Sequence, residues 1–278
     1  MHPSVIFTTY NHPSALEKVL WGFASQTHSG FELVVADDGS GPDTRSVIDR
    51  VRAESGLVIA HVWHEDIGFR KTEILNRAIV ESSGDYLIFT DGDCIPRDDF
   101  VAVHVAEAER GRFLSGGYLK LDRAVSEAIT VDDVRAQRFA DPAWLAARGW
   151  GGPRARLRLT RSRRLAALLD AITTTRATWN GHNASTWREA IYAVNGYDLD
   201  MAYGGLDRAL GETLENIGVR GKQIRHRAPC LHLWHERPYV DRARWERNRA
   251  AREQIRRERL TRARRGLAEL GGERRREG

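Results

Sequence analysis

Through roughly the first 100 residues, short apolar runs alternate with stretches whose apolar residues recur every three or four positions. Ser4 to Thr8 predicts a strand that ends at Asn11-His12-Pro13. Ser14 to Gln26 then sets Leu16, Val19, Leu20 and Phe23 at helical spacing. Phe31 to Ala36 predicts a buried strand stopped by Asp37-Asp38-Gly39-Ser40-Gly41, with a helix following to about Glu54. Leu57 to Trp63 predicts a third strand, and Lys71 to Glu81 a helix carrying Ile74, Leu75, Ala78 and Ile79 on one side. Tyr86 to Thr90 predicts a fourth strand, ended by Asp91-Gly92-Asp93. Strands alternating with helices imply right-handed crossovers and an α/β fold with a mostly parallel central sheet flanked by helices. Ligands of such sheets bind beyond the carboxyl ends of the strands. Three of these ends are polar or acidic: Thr8 to Asn11, Asp37 to Ser40, and Asp91 to Asp93.

The second half is less regular. Arg112 to Leu119 predicts a strand, and Arg148 to Arg164, rich in Gly and Arg, a loop or an excursion over the site. A helix is expected from about Trp187, a late strand over Gln223 to Leu233, and a long polar helix from Tyr239 to about Leu270.

The hydrophobic fraction is 41% and the charged fraction 29%, which fits a globular body. No run approaches the ~20 apolar residues that span a bilayer, and the N-terminus lacks the pattern of a secretory signal. A cytoplasmic location is therefore expected. Cys94 and Cys230 are too few for a disulfide framework. The net charge of +5 is uneven: Asp241 to Gly278 holds 14 arginines against 7 acids, so the rest of the chain is nearly neutral. A near-neutral body argues against a dedicated nucleic-acid-binding surface. The basic tail reads as a solvated helix, with contact to an anionic membrane face as the second possibility.

Asp91-Gly92-Asp93 carries the clearest chemistry. Two carboxylates two residues apart at a strand end can share a divalent cation that also contacts a diphosphate. Alone, an Asp-x-Asp reads more readily as an acidic surface turn.

Other segments narrow the choice. Thr8-Thr9-Tyr10-Asn11, Gln26-Thr27, Ala36-Asp37-Asp38-Gly39-Ser40, Gly84-Asp85-Tyr86 and Thr90-Asp91-Gly92-Asp93, in this order, resemble the family 2 glycosyltransferases of the GT-A fold. Farther on, Asn180-Gly181-His182-Asn183-Ala184-Ser185, Asn195-Gly196-Tyr197-Asp198 and Tyr203-Gly204-Gly205-Leu206-Asp207 resemble the C-terminal segment of galactosyltransferase-like members and polypeptide GalNAc-transferases. The matches run over about residues 3 to 237.

The resemblance implies a GT-A domain over residues 1–240, with a nucleotide-binding half (1–110) and an acceptor-binding half (111–240), followed by the tail at 241–278. It implies donor contacts from Thr8, Tyr10, Asn11, Asp38, Arg70, Asp91 and Asp93. A carboxylate such as Asp38 accepts the imide N–H of uracil, which favours a UDP-sugar. The resemblance further implies Mn²⁺ or Mg²⁺ on Asp93 and His235, with His232 as the second choice. Strand alternation would send the two imidazoles to opposite faces. Asp207 holds the family's position for the carboxylate that deprotonates an acceptor hydroxyl. Trp179, Asn180, His182, Asn183, Gly204 and Gly205 are expected to line the sugar or acceptor pocket. The family usually has Glu-Asp where this chain has Leu206-Asp207, which bears on acceptor binding.

The implied activity is inverting transfer of a hexose or N-acetylhexosamine to a glycan or lipid-linked hydroxyl. Two other readings remain open at this level. A nucleotidyltransferase making NDP-sugars would need a Gly-rich phosphate loop after the first strand, where this chain has Thr-Thr-Tyr-Asn. A non-catalytic sugar-nucleotide or glycan binder is favoured only by Leu206.

Overall fold

The apolar runs of the first half become parallel strands joined by helices, in a computed structural model that describes residues 1–236 and 242–273. The order is β1 (Pro3–Thr9), α1 (Pro13–Ala24), β2 (Glu32–Asp37), α2 (Pro42–Ser55), β3 (Ile59–Trp63), α3 (Lys71–Glu81) and β4 (Tyr86–Asp91). Proline opens α1 and α2, where its missing N–H costs nothing. Gly56 closes α2 at φ 68°, a left-handed cap that favours glycine.

After β4 come β5 (Cys94–Pro96), α4 (Phe100–Glu107), β6 (Arg112–Ser115) and β7 (Gly117–Lys120). An excursion of short helices follows: α5 (Arg123–Ala128), α6 (Val131–Arg135), α7 (Pro142–Ala146), α8 (Pro153–Arg158) and α9 (Arg163–Ile172). The chain then returns through β8 (Asn183–Trp187), α10 (Arg188–Ala193), α11 (Leu206–Asn216), β9 (Arg220–Gln223) and β10 (Pro229–His232), and ends with α12 (Arg242–Glu258) and α13 (Leu267–Glu273).

One sheet has the order β3-β2-β1-β4-β8-β6-β9, and a second, smaller sheet the order β5-β10-β7. Strand alternation divides the core in two. Val5, Phe7, Leu33, Val35 and Ile88 pack on one face with α1 and α2, while Ile6, Val34, Ala36, Leu87 and Phe89 pack on the other with α3 and α11. β8 runs antiparallel to β4 and β6 and so interrupts the parallel pattern, which the parallel pair β6 and β9 resumes.

Two expectations are corrected and one is narrowed. The strand expected over 112–119 is two strands in different sheets, broken at Gly116. A Cβ there would lie 1.9 Å from Asn183 Oδ1, so only glycine passes. The late strand is likewise two, separated by a turn in which Arg227 and Ala228 donate their N–H groups to the Ile224 carbonyl at 3.1 and 2.9 Å. Of the two readings of the Gly/Arg-rich segment, the loop gives way to the excursion, which places α8 and the start of α9 there.

The expected solvated helix from Tyr239 also differs, although Tyr239 to Asp241 and 274–278 lie outside the described residues. α12 packs on α11 and α13 on α3, with Ile255 and Leu267 buried. The Asn248 amide donates to the carbonyls of Ala202, Tyr203 and Gly204.

Candidate active site

Parallel register places the polar strand ends side by side. Thr8 on β1 faces Asp91 on β4, and Thr9 faces Asp37 on β2. Above these ends opens a cavity of about 930 Å³. Asp38, Asp93, Asp207 and His235, which come from four separate parts of the chain, all line it. Thr8, Tyr10, Asn11 and Asp91 line it as well.

At one end sits Asp38, buried just past β2. Its Oδ1 lies 2.7 Å from His64 Nε2, and the Arg70 backbone N–H points at both of its oxygens from 3.3 and 3.2 Å. His64 and the start of α3 therefore fix the carboxylate's orientation. Tyr10 donates its hydroxyl to Asp66 at 2.8 Å across the same end. Asn11, at φ 46°, ties the first loop to the second: its N–H donates to Ser40 Oγ at 2.9 Å and its Oδ1 accepts from Gly41 N–H at 2.9 Å.

At the centre, Lys71 Nζ donates to Asp91 Oδ1 at 2.8 Å, and Thr8 Oγ1 donates to the same oxygen at 3.2 Å. Burial alone would lower the ammonium's pKa, but Asp91 and then Asp207 outweigh it and hold it above its ordinary value. Burial would raise Asp91; the facing ammonium wins and keeps this carboxyl below the usual range. Asp207, in the first turn of α11, goes the other way. Burial raises it to about 6, helped by the charge on Asp91 and opposed by Lys71. Gly181 makes room for it, since a Cβ there would lie 2.6 Å from Asp207 Oδ1. The Tyr197 hydroxyl stands at 3.5 Å.

At the far end, two imidazoles meet Asp93. His235 Nε2 is 3.1 Å from Oδ2 and His232 Nε2 is 3.8 Å from Oδ1. The rings stack with centroids 5.2 Å apart. The expected opposite faces do not occur, because β10 ends at His232 and alternation lapses before His235. His235 Nδ1 lies 2.7 Å from the Glu236 carbonyl, which can only accept, so that nitrogen carries the hydrogen. Nε2 then faces a carboxylate oxygen, and a proton or a cation must lie between them. The separation is close to the roughly 3 Å between neighbouring ligands of an octahedral ion at about 2.1 Å. Carboxylate plus imidazole suits Mn²⁺ and accepts Mg²⁺. Asp93, Cys94 and His232 also present ligand atoms within 4.8 Å of one another. The residues present thus fit a divalent cation.

Several expected residues lie elsewhere. Trp179 is 1% exposed and packs edge-on against Phe89 and Phe113, in the core rather than on the cavity wall. Asn183 is fully buried and joins the two sheets: its Nδ2 donates to the carbonyls of Gly117 at 2.9 Å and Ala228 at 2.6 Å. Asn180 accepts the Asn183 N–H at 2.8 Å and shapes that turn. His182 packs against Tyr118 behind Asp91, and burial lowers its pKa to about 4. Gly204 and Gly205, at φ 99° and 107°, make room for Trp245 and Arg252 of α12. The Arg70 guanidinium turns away to Glu73 and the Glu65 carbonyl.

Lys71, next along the chain, takes the cavity position instead. It is one of four lysines among 43 basic residues, a rarity at a helix start that the sequence could have flagged. His12, Lys18 and Trp234 also line the cavity and carry no sequence signal of their own.

Residues 4–124 match Glycosyl transferase family 2. A hyaluronan synthase of Pasteurella multocida is 34% identical over 105 residues, which cover 37% of this chain and 11% of that protein. The matched stretch is thus about a ninth of the relative's length. Among solved structures, S. aureus TarS 1–349 in complex with UDP-GlcNAc superposes with a TM-score of 0.62 at 15% identity, covering 97% of this chain and 69% of that one. The mannosyltransferase PcManGT of Pyrobaculum calidifontis, in complex with GDP-Man and Mn²⁺, gives a TM-score of 0.57 at 21% identity over 91% and 61%. These likenesses identify the fold as GT-A. The resemblance of the C-terminal segment to GalNAc-transferases has weaker support, a partial match to GalNAc-T7 at 16% identity.

Proposed function

We propose that the chain transfers a hexose or N-acetylhexosamine from a UDP-sugar to a hydroxyl acceptor, with inversion, a reading supported by the match of residues 4–124 to Glycosyl transferase family 2. The observation that carries this reading is the single cavity shared by Asp38, Asp93, Asp207 and His235.

Each role follows from position. Asp38, held by His64 and the Arg70 N–H, faces the end where a nucleobase donor group would be accepted. Tyr10 and Asn11 shape the wall beside it. Asp93 and His235 would hold the cation, with His232 beside them; when bound, Mn²⁺ or Mg²⁺ would supply positive charge to the departing diphosphate. Lys71 adds fixed positive charge midway between donor and acceptor ends.

Asp207 is the general base. Its raised pKa makes it a stronger base than an ordinary carboxylate while leaving it ionised at neutral pH. It takes the acceptor hydroxyl's proton as oxygen bonds to the anomeric carbon. The sugar–diphosphate bond breaks on the opposite side, and its electron pair leaves with UDP. The acceptor is a glycan or lipid-linked hydroxyl of cell-surface assembly.

Calorimetry with a panel of UDP- and GDP-sugars, with and without Mn²⁺, followed by turnover with Asp207→Asn, tests the proposal. Metal-dependent UDP-sugar binding with turnover lost only in the variant supports it. Binding without turnover in both proteins would favour a sugar-nucleotide binder.

A further inference from the structure

The excursion between β7 and β8 carries a surface that the transfer chemistry does not use. Residues 142–169 contain seven arginines and no acidic residue. α9 is pinned through its inner face: Ala166 and Asp170 are buried. Asp170 Oδ1 accepts the His226 N–H at 2.8 Å, and Oδ2 accepts from Arg227 Nε at 2.9 Å. The outer face is apolar where a solvated helix would be polar. Leu168 is 55% exposed and Ile172 65%, one helical turn apart, and Leu157 of α8 is 47% exposed. Around them Arg156, Arg163 and Arg164 are exposed and, among the described residues, form no ion pair. Arg161 meets an acid, Asp98 at 2.6 Å.

The basic tail is the natural rival, and it is built differently. Arg252 and Arg256 of α12 both engage Glu212 of α11, and acids recur along the tail's own faces. Its apolar anchor, Ile255, is turned inward. The tail's exposed apolar residues, Trp245 and Leu260, stand 15 positions apart along the chain, whereas Leu168 and Ile172 of α9 stand one helical turn apart.

We infer that α8 and α9 dock on an anionic lipid bilayer, with Leu157, Leu168 and Ile172 entering the interface and the surrounding arginines meeting the headgroups. Exposed apolar residues rimmed by unpaired cations are the arrangement an interfacial helix needs. The cationic rim is complementary to phosphate-bearing lipid. The segment is tied to the wall of the cavity, because the Arg158 guanidinium donates to the Tyr118 carbonyl and the Tyr118 ring touches those of His182 and His232.

Sedimentation of the full chain with phosphatidylglycerol-containing vesicles, against pure phosphatidylcholine vesicles, tests the docking. The wild type should bind the anionic vesicles, and Leu168→Asp/Ile172→Asp should lose about tenfold or more of that partitioning. Arg249→Gln/Arg257→Gln, on the exposed side of α12, should retain most of it. No binding by the wild type, or loss with the tail variant instead, would overturn the inference. As a check independent of charge, Ile172→Cys can be labelled selectively with an environment-sensitive dye, since Cys94 and Cys230 are buried. A blue shift on adding anionic vesicles is expected, and an unchanged spectrum would also count against docking. UDP-sugar binding should be the same in all variants, which separates this inference from the proposed activity.

Discussion

Asp91 and Asp207 stand on either side of one lysine, yet they are held in opposite states. Asp91 comes from the parallel half of the sheet, where Lys71 and Thr8 both donate to its Oδ1. Its proton is readily given up, and it acts as a fixed negative charge. Asp207 comes from the second half, at the start of a helix, with the Tyr197 hydroxyl 3.5 Å away and Gly181 against its oxygens. It feels the same ammonium only at longer range, and burial prevails, to a pKa of about 6. One cation serves two carboxyls, and the hydrogen-bonded contact rather than residue type decides which stays charged. In the proposed transfer, the pair would divide the work between a permanent charge and a proton acceptor.

The largest expected effect comes from removing the acceptor. Asp207→Asn should lower kcat by about 10³-fold, within the range of general-base losses, and leave donor affinity unchanged by calorimetry. An equal loss with Asp91→Asn and no change in binding would erase the distinction. Next, Asp93→Ala or His235→Ala should weaken Mn²⁺ binding, read by titration, by at least the roughly 10- to 100-fold that outer-shell partners cost.

Lys71→Met sharpens the comparison directly. Without the ammonium, both carboxyls rise, and the acid limb of kcat/KM should move up by about one pH unit. Smallest and simplest is the wild-type profile. Asp207 must be ionised to act, so kcat/KM should fall as pH drops through about 6. Stability should show the opposite sign. The folded protein holds this proton more tightly than an unfolded chain does. Raising pH from the ordinary 3.8 to about 6 therefore costs stability, and the cost is constant above that.

The strand-end side of the cavity was legible because local pattern and tertiary position coincide there. Each buried parallel strand reads as an apolar run, and its polar end marks the cavity, so Thr8, Asp38, Asp91 and Asp93 were found together. Asp207 and His235 were reached by resemblance, since nothing local distinguishes them from a helix-start acid and a surface histidine. The expected pocket residues that lie off the cavity wall do so for a shared cause. Trp179, Asn183, Gly204 and Gly205 sit in motif-like segments, but their roles are steric and structural, between layers that no local pattern reveals. Lys71 was passed over for Arg70 because a one-residue difference at a helix start turns a side chain by about 100°. The split at Gly116 depends on the Asn183 side chain, 67 residues away in the chain.

The small sheet has a consequence for how the protein is made. Its strands are residues 94–96, 117–120 and 229–232, and the middle strand is the last to be synthesised. Most of the large sheet's parallel strands can pair while the ribosome is still at work on the excursion. The imidazole end has no partner for β5 or β7 until β10 emerges. A nascent chain stalled before residue 229 would carry the polar strand ends of the cavity but neither imidazole, so the proposed turnover should begin only once synthesis has passed His235.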